Sequence, residues 1–162
     1  MRSARSWIKF SVMKIDIVWG KSEGKTLLSA FDRALLEAGI HNFNLILLSS
    51  VIPKNSVVEE VGKAHLSNEI GDILHVVIAS FGCKKPNAII SAGLGWVQTK
   101  QGGLFIESKG EFSQEDCKEE IRIGLSEMLE ARGWNGEIKM KIISHRVEEI
   151  ANVTVAAVYC NL

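Results

Sequence analysis

The sequence contains no apolar run long enough to cross a membrane. A transmembrane helix needs about 20 consecutive apolar residues, and no stretch of this 162-residue chain approaches that length. Nineteen basic residues balance nineteen acidic ones, so no net charge draws the protein to nucleic acid or to an anionic membrane. We therefore expect neither nucleic acid nor a membrane as a partner.

Paired metal ligands and paired cysteines are also missing. The three cysteines are odd in number and far apart, at positions 83, 117 and 160. Disulfide frameworks need an even set, and structural zinc sites need ligand pairs spaced by roughly two to four residues. The four histidines are equally scattered. This pattern predicts no metal and reduced thiols in a cytoplasmic protein.

Two common nucleotide-binding motifs are incomplete. Gly93 and Gly95 form G-x-G without a third glycine or a following helix. Residues 20–22 spell G-K-S but lack the upstream glycine of a P-loop. The glycines are therefore interpreted as turn residues of sheets.

The length is that of one domain, which we place at residues 13–162. Residues 1–12 are interpreted as a loose N-terminal extension, because they are basic and lack acidic residues. Lys9 interrupts their short apolar patch, whereas a signal peptide needs a longer uninterrupted one.

Periodicity predicts a strand over 15–19, a loop over 21–25, a helix ending at Gly39 and a buried strand over 43–50 that Pro53 terminates. Residues 54–72 are polar, with little periodicity, and are predicted to be a surface excursion. Further strands are predicted at 73–81, 88–97, 103–108, 137–146 and 152–160.

The clearest helix starts after Ser113, because Asp116 three residues later resembles a capping box and an apolar stripe follows as far as Gly133. Two helices and about seven strands, grouped rather than alternating, favour an α+β fold with helices packed on antiparallel sheets.

Two adjacent serines, Ser49 and Ser50, end the apolar strand. On composition alone, such serines are more often hydroxyls that cap backbone groups than catalytic residues. Their context changes this interpretation. Residues 29–46 read S-A-F-D-R-A-L-L-E-A-G-I-H-N-F-N-L-I, and residues 49–53 read S-S-V-I-P.

This pattern resembles the pyruvoyl-dependent arginine decarboxylases, whose hallmark is an F-D-x-A-L-L-x-A-x-I helix, then N-L or N-I, and a self-cleaving Ser-Ser before a hydrophobic pair and proline. Residues 22–26, 103–107 and 130–134 also resemble the family, so the similarity covers roughly residues 15–160. Arg33, His41 and the stretch 54–72 depart from the family pattern.

The resemblance implies a four-layer αββα sandwich of antiparallel or mixed sheets with helices on the outer faces. It implies a zymogen that cuts itself between Ser49 and Ser50, leaving a pyruvoyl group made from Ser50 as cofactor, with no pyridoxal phosphate. The Ser50 hydroxyl attacks the Ser49 carbonyl to form an ester. Elimination then gives dehydroalanine, which hydrolyses with release of ammonia.

The resemblance further implies that L-arginine forms a Schiff base with the pyruvoyl group and leaves as agmatine and CO2. Glu107 is the candidate proton donor, and Asn44 aids self-cleavage or orients the site. Asp32 binds the guanidinium group, helped by backbone carbonyls near Leu35 and Phe43. The expected assembly is a homotrimer of cleaved two-chain units with sites at subunit interfaces, in acid resistance or polyamine biosynthesis.

Two alternatives stay open. Arg33 next to Asp32 would compete with a guanidinium substrate, so the same chemistry could act on another amino acid such as histidine or aspartate. Without self-cleavage, the chain would be an oligomeric scaffold or binding module. Judged by position alone, Glu107 is a surface residue on a strand edge and Asp32 a solvated helix residue.

Overall fold

The computed structural model describes residues 12–162, so the extension predicted for residues 1–12 falls almost wholly outside the described residues. The described chain forms two helices and nine strands. In chain order these are β1 Lys14–Glu23, α1 Leu27–Ala38, β2 Asn44–Leu47, β3 Val51–Ile52, β4 Val57–Gly62, β5 Ile73–Cys83, β6 Ile89–Gln98, β7 Gly103–Gly110, α2 Gln114–Glu130, β8 Lys139–Arg146 and β9 Ala151–Tyr159.

The strands form two sheets that pack face to face. The five-stranded sheet has the order β2-β5-β9-β1-β4, with β1–β4 and β2–β5 parallel and the other pairs antiparallel. The four-stranded sheet has the order β3-β7-β6-β8 and is antiparallel. Helix α1 covers the outer face of the first sheet and α2 that of the second. The α+β class and the four layers are as expected.

The main core lies between the sheets. Alternate side chains of a strand point to opposite faces, so every second residue of β9 and of β6 enters this core. Full burial of each large apolar side chain contributes roughly 1.5–3 kcal/mol. The residues that matter for the site are at the edge of this core: Leu48, Ile52, Phe105 and Tyr159.

Local capping chemistry explains both helices. The Thr26 side chain accepts from the Ser29 N–H and opens α1, and Gly39 ends it in a left-handed conformation at φ 79°. The Ser113 hydroxyl accepts from the Asp116 N–H at the start of α2, as predicted. Helix α2 ends at Glu130, before the left-handed Gly133. Neither helix is long and apolar enough to cross a membrane.

The predicted buried strand over 43–50 is wrong in two respects. Only residues 44–47 form a strand, β2 in the five-stranded sheet, and the next strand, β3, begins at Val51 in the four-stranded sheet. Strand β2 lies at a sheet edge, and its Leu47 is 68% exposed. An apolar run predicts extended backbone but does not tell which sheet pairs with it, so the break at residues 48–50 had no local signal.

Two other boundaries differ from the prediction. Strand β1 continues to Glu23 across the predicted loop, because Gly20 does not end it. A Cβ on Gly20 would lie 2.0 Å from the Ala34 carbonyl oxygen, so glycine lets α1 approach the strand. Strand β4 was not predicted from the sequence. It is an exposed edge strand, and Glu59 and Glu60 interrupt the alternation of apolar and polar residues by which a strand is recognised.

Candidate active site

The chain crosses from one sheet to the other at the two serines. The Leu48 N–H donates to the Val76 carbonyl oxygen at 2.8 Å, which continues the backbone pairing of β2 with the five-stranded sheet to this residue. The Phe105 N–H donates to the Ser50 carbonyl oxygen, also at 2.8 Å, in the four-stranded sheet. The Ser49–Ser50 peptide bond therefore bridges two separately anchored segments.

A three-residue turn is centred on Ser50. The Val51 N–H donates to the Ser49 carbonyl oxygen at 3.0 Å. In a planar trans peptide, the Ser50 C=O and the Val51 N–H point in opposite directions. Because the Phe105 N–H binds the Ser50 carbonyl oxygen, the Val51 N–H is directed towards the Ser49 carbonyl oxygen. A donor in this position stabilises negative charge that develops on the Ser49 oxygen. The Ser49 residue is exposed, and Ser50 is half-buried.

Tyr159 makes a hydrogen bond to the next peptide unit, and no sequence pattern predicted this contact. Its hydroxyl donates to the Val51 carbonyl oxygen at 2.9 Å. The ring is only 3% exposed, and burial raises the pKa of Tyr159 to about 12. The two residues are 108 positions apart in the chain, so no motif or spacing connects them.

Glu107 lies on the strand that pairs with the serine segment. Strand β7 pairs with β3 at Leu104, and Glu107 is two residues beyond Phe105, so both side chains share the inner face about 7 Å apart along the strand. The Glu107 side chain is 32% exposed, with the Lys109 ammonium at 3.9 Å. Burial raises the pKa of Glu107, and Lys109 opposes part of that rise.

Asn44 begins β2, the strand that leads to Ser49. Its side-chain amide donates to the Gly71 carbonyl oxygen at 2.7 Å, and its N–H donates to the Asp72 carbonyl at 2.9 Å. Asn44 lies about 10 Å along the strand from Leu47. Asn44 thus lies on the strand that precedes the serines, and its side-chain amide is hydrogen-bonded to the loop before β5.

Asp32 faces outward from α1 beside a largely apolar depression. This cavity has a volume of about 460 Å³ and is lined by Thr26, Leu28, Ser29, Phe31, Asp32 and Leu35. Within residues 12–162, Asp32 takes part in no ion pair. The guanidinium of Arg33 donates instead to the Glu23 carbonyl oxygen at 3.3 Å. The competing Asp32–Arg33 pair is therefore not formed.

Leu35 and Phe43 pack in one apolar cluster beneath α1. The Leu35 carbonyl oxygen accepts from the Ile40 N–H at 3.0 Å and from the Gly39 N–H, and these bonds cap the helix. Helix α1 covers the outer face of the five-stranded sheet, whereas Glu107 is an exposed residue of β7 in the four-stranded sheet. The Asp32 cavity and the Ser50 turn thus lie at separate places in one chain.

No group of three His, Cys, Asp or Glu side chains that could hold a metal ion occurs in the described part of the chain. The residues do fit a prosthetic group made from the backbone itself. The serine peptide is exposed on one side, its carbonyl oxygen has a hydrogen-bond donor, and both flanks have their own attachments.

Comparison with known proteins gives a consistent result. The family model described as "Pyruvoyl-dependent arginine decarboxylase (PvlArgDC)" matches residues 14–161, from β1 to just beyond β9. Curated relatives with the name "Pyruvoyl-dependent arginine decarboxylase" include that of Halobacterium salinarum, which is 33% identical over 90% of this chain and 93% of its own. The relative from Pyrococcus abyssi is 38% identical over 85% and 87%. That from Pyrococcus furiosus is 35% identical over 94% and 96%.

Proposed function

Because the chain belongs to the pyruvoyl-dependent arginine decarboxylase family, we propose that it cuts itself between Ser49 and Ser50 and converts L-arginine to agmatine and CO2. One observation carries the proposal. The Ser49–Ser50 peptide is the crossing between two sheets, and its carbonyl oxygen already accepts the Val51 N–H at 3.0 Å.

Self-cleavage begins when the Ser50 hydroxyl oxygen attacks the Ser49 carbonyl carbon. The charge on the carbonyl oxygen is stabilised by the Val51 N–H. Collapse breaks the C–N bond and leaves an ester between the two serines. Loss of the Ser50 Cα proton and departure of the Ser49 carboxylate from Cβ give dehydroalanine. Water then replaces its nitrogen, which leaves as ammonia, and the ketone remains at residue 50.

The pairing of β2 and β3 with different sheets explains why the site would keep its structure after the cut. After cleavage, β2 is still paired with β5, and β3 is still paired with β7. Each new chain end therefore keeps its own sheet. The products are a chain of residues 1–49 and a chain of residues 50–162 that starts with the pyruvoyl group.

The pyruvoyl group supplies Schiff-base chemistry without pyridoxal phosphate, because its ketone condenses with the substrate amine and accepts the electrons of the bond to the carboxylate. Glu107 delivers a proton to the substrate Cα. Its raised pKa favours this role, since burial keeps a larger fraction of the carboxyl protonated. Asn44 orients the serine segment through β2.

Arginine is the proposed substrate because the Asp32 cavity suits a long cationic side chain. A charged hydrogen bond to a guanidinium contributes on the order of 1.5–3 kcal/mol. Leu28 and Phe31 offer apolar surface to the methylene groups. Backbone carbonyl oxygens near Leu35 and Phe43 accept the remaining N–H groups of the guanidinium. Histidine lacks the reach, and aspartate has the wrong charge.

We also propose that cleaved units assemble as a homotrimer in the cytoplasm, with each site formed between two copies. The separation of the Asp32 cavity and the Ser50 turn in one chain supports this. So does the exposure of apolar side chains on either side of the crossing and at the start of β5, where Leu47, Val51 and Ile73 are 68%, 55% and 59% exposed.

The test is CO2 release from a panel of amino acids by the parent protein and Asp32→Asn, both after complete self-cleavage. The parent should release CO2 from arginine far faster than from histidine or aspartate. Asp32→Asn should raise the KM for arginine at least tenfold. Equal rates with another amino acid would contradict arginine as the substrate, and an unchanged KM would remove Asp32 from recognition.

A further inference from the structure

Three consecutive backbone carbonyl oxygens at the crossing each accept a hydrogen bond. The Ser49 carbonyl accepts from the Val51 N–H, and the Ser50 carbonyl accepts from the Phe105 N–H. The Val51 carbonyl accepts from the Tyr159 hydroxyl. The first two donors are backbone groups and survive substitution. Tyr159 is therefore the only side chain among these donors.

Few other contacts fix Val51. Strand β3 has only two residues, and its ladder has only the pairs Val51–Leu104 and Ile52–Gly103. The Val51 side chain is 55% exposed and adds little packing. Tyr159, in contrast, is buried at the end of β9 and paired with Ile15 in the five-stranded sheet. Its hydroxyl thus connects the short β3 to the opposite sheet.

We propose that Tyr159 is a positioning residue for self-cleavage. Its hydroxyl fixes the Val51 carbonyl, and through it the orientation of Val51, so that the Val51 N–H stays directed at the Ser49 oxygen during the attack by Ser50. This inference rests on the proposed function, because it requires a cut between Ser49 and Ser50.

The same hydrogen bond acts after the cut. Residues 50–52 then form the start of the larger chain, so the pyruvoyl-bearing residue 50 is held by Phe105 and, through Val51, by Tyr159. Loss of the hydroxyl should loosen this end and lower kcat per pyruvoyl group. The Asp32 cavity is on another face of the fold, so the KM for arginine should change little.

The experiment follows cleavage of freshly made precursor. Each chain is made in a short cell-free pulse, and the cut fraction is followed with time by denaturing mass spectrometry. Tyr159 is the only tyrosine of the chain. Tyr159→Phe removes the donor, and Tyr159→p-fluorophenylalanine removes it while filling nearly the same volume. Tyr159→p-aminophenylalanine restores an N–H donor.

Ser91→Ala is the matched control. The buried Ser91 hydroxyl donates to the Phe112 carbonyl oxygen at 2.8 Å and lies 2.7 Å from the Ser144 hydroxyl oxygen. This variant therefore also loses a side-chain bond to a part-buried backbone carbonyl, together with the Ser144 contact, but away from Ser49 and Ser50. It should cleave within twofold of the parent rate. Thermal unfolding of each variant shows which chains are folded.

Both donor-free variants should cleave at least tenfold more slowly than the parent, and p-aminophenylalanine should recover most of the rate. A folded p-fluorophenylalanine chain that cleaves within twofold of the parent would overturn the role of Tyr159, even where Tyr159→Phe fails to fold. A parent chain that stays whole would instead overturn the proposed function itself, so the two failures are distinguishable.

Discussion

At the scale of single residues, the site depends on where one backbone carbonyl points. In the proposed reaction, Ser49 contributes its carbonyl carbon and oxygen, whereas Ser50 contributes its hydroxyl and becomes the cofactor. The neighbouring Val51 N–H, at 3.0 Å from the Ser49 oxygen, supplies the stabilising donor. Two chemically identical side chains therefore have different importance, which provides an internal control.

Ser50→Ala should abolish cleavage, because it removes the attacking oxygen. Ser49→Ala keeps the carbonyl and loses only an exposed hydroxyl, so it should cleave within about tenfold of the parent rate. Denaturing gel electrophoresis of both purified variants separates these outcomes. Cleavage of Ser50→Ala at the same bond would eliminate Ser50 as the nucleophile.

Glu107 predicts a pH dependence with a definite sign. Burial raises its pKa, and the Lys109 ammonium at 3.9 Å holds it lower than burial alone would. A donor works only while protonated, so kcat should fall as pH rises through this pKa. Lys109→Met removes the opposing charge, raises the pKa further and should move the alkaline limb of the profile to higher pH.

The matching control for that profile is Glu107→Gln, which cannot donate a proton at any pH. It should lose kcat by roughly 100-fold or more and should lack the alkaline limb. If Lys109→Met moved the limb to lower pH, or Glu107→Gln retained it, another group would be the proton donor.

At the scale of helices and strands, local chemistry predicted some features and not others. The C-terminal end of α1 and the start of α2 followed from Gly39 and the Ser113–Asp116 pair, because a cap is a contact between residues near in sequence. The split between β2 and β3 did not follow, since the choice of sheet depends on distant partners. Tyr159 was missed for the same reason.

The close approach of α1 to β1 is testable at Gly20. A Cβ there would lie 2.0 Å from the Ala34 carbonyl oxygen and 2.8 Å from the Glu37 Cβ. Gly20→Ala should therefore lower the free energy of unfolding by about 1–3 kcal/mol, as overpacking does. Urea titration in the Ser50→Ala background keeps one chain and makes the comparison two-state.

Gly133→Asn is the control for this substitution. No atom lies within 4 Å of a Cβ at Gly133, and asparagine tolerates its φ of 62°. Its free energy of unfolding should change by less than about 0.5 kcal/mol. If Gly20→Ala lowered the free energy of unfolding no more than Gly133→Asn does, α1 would be shown to move away from β1 without an energetic cost.

At the scale of the whole molecule, the four layers hold together two segments that the reaction is expected to separate. The five-stranded sheet keeps β2, and the four-stranded sheet keeps β3. The family pattern in the sequence predicted the four layers and the place of the cut. It could not show that the cut lies at the crossing between the sheets, because that depends on the pairing of β2 and β3 with strands far along the chain.

Self-cleavage at this crossing is the central claim, and intact mass spectrometry of the purified protein under denaturing conditions tests it most directly. The account predicts two species, residues 1–49 and residues 50–162. The larger should be lighter than a chain starting with serine by about one ammonia, as conversion to a pyruvoyl end requires. A single uncut chain of full mass, persisting after long incubation, would contradict the account and favour an uncleaved binding or scaffold protein.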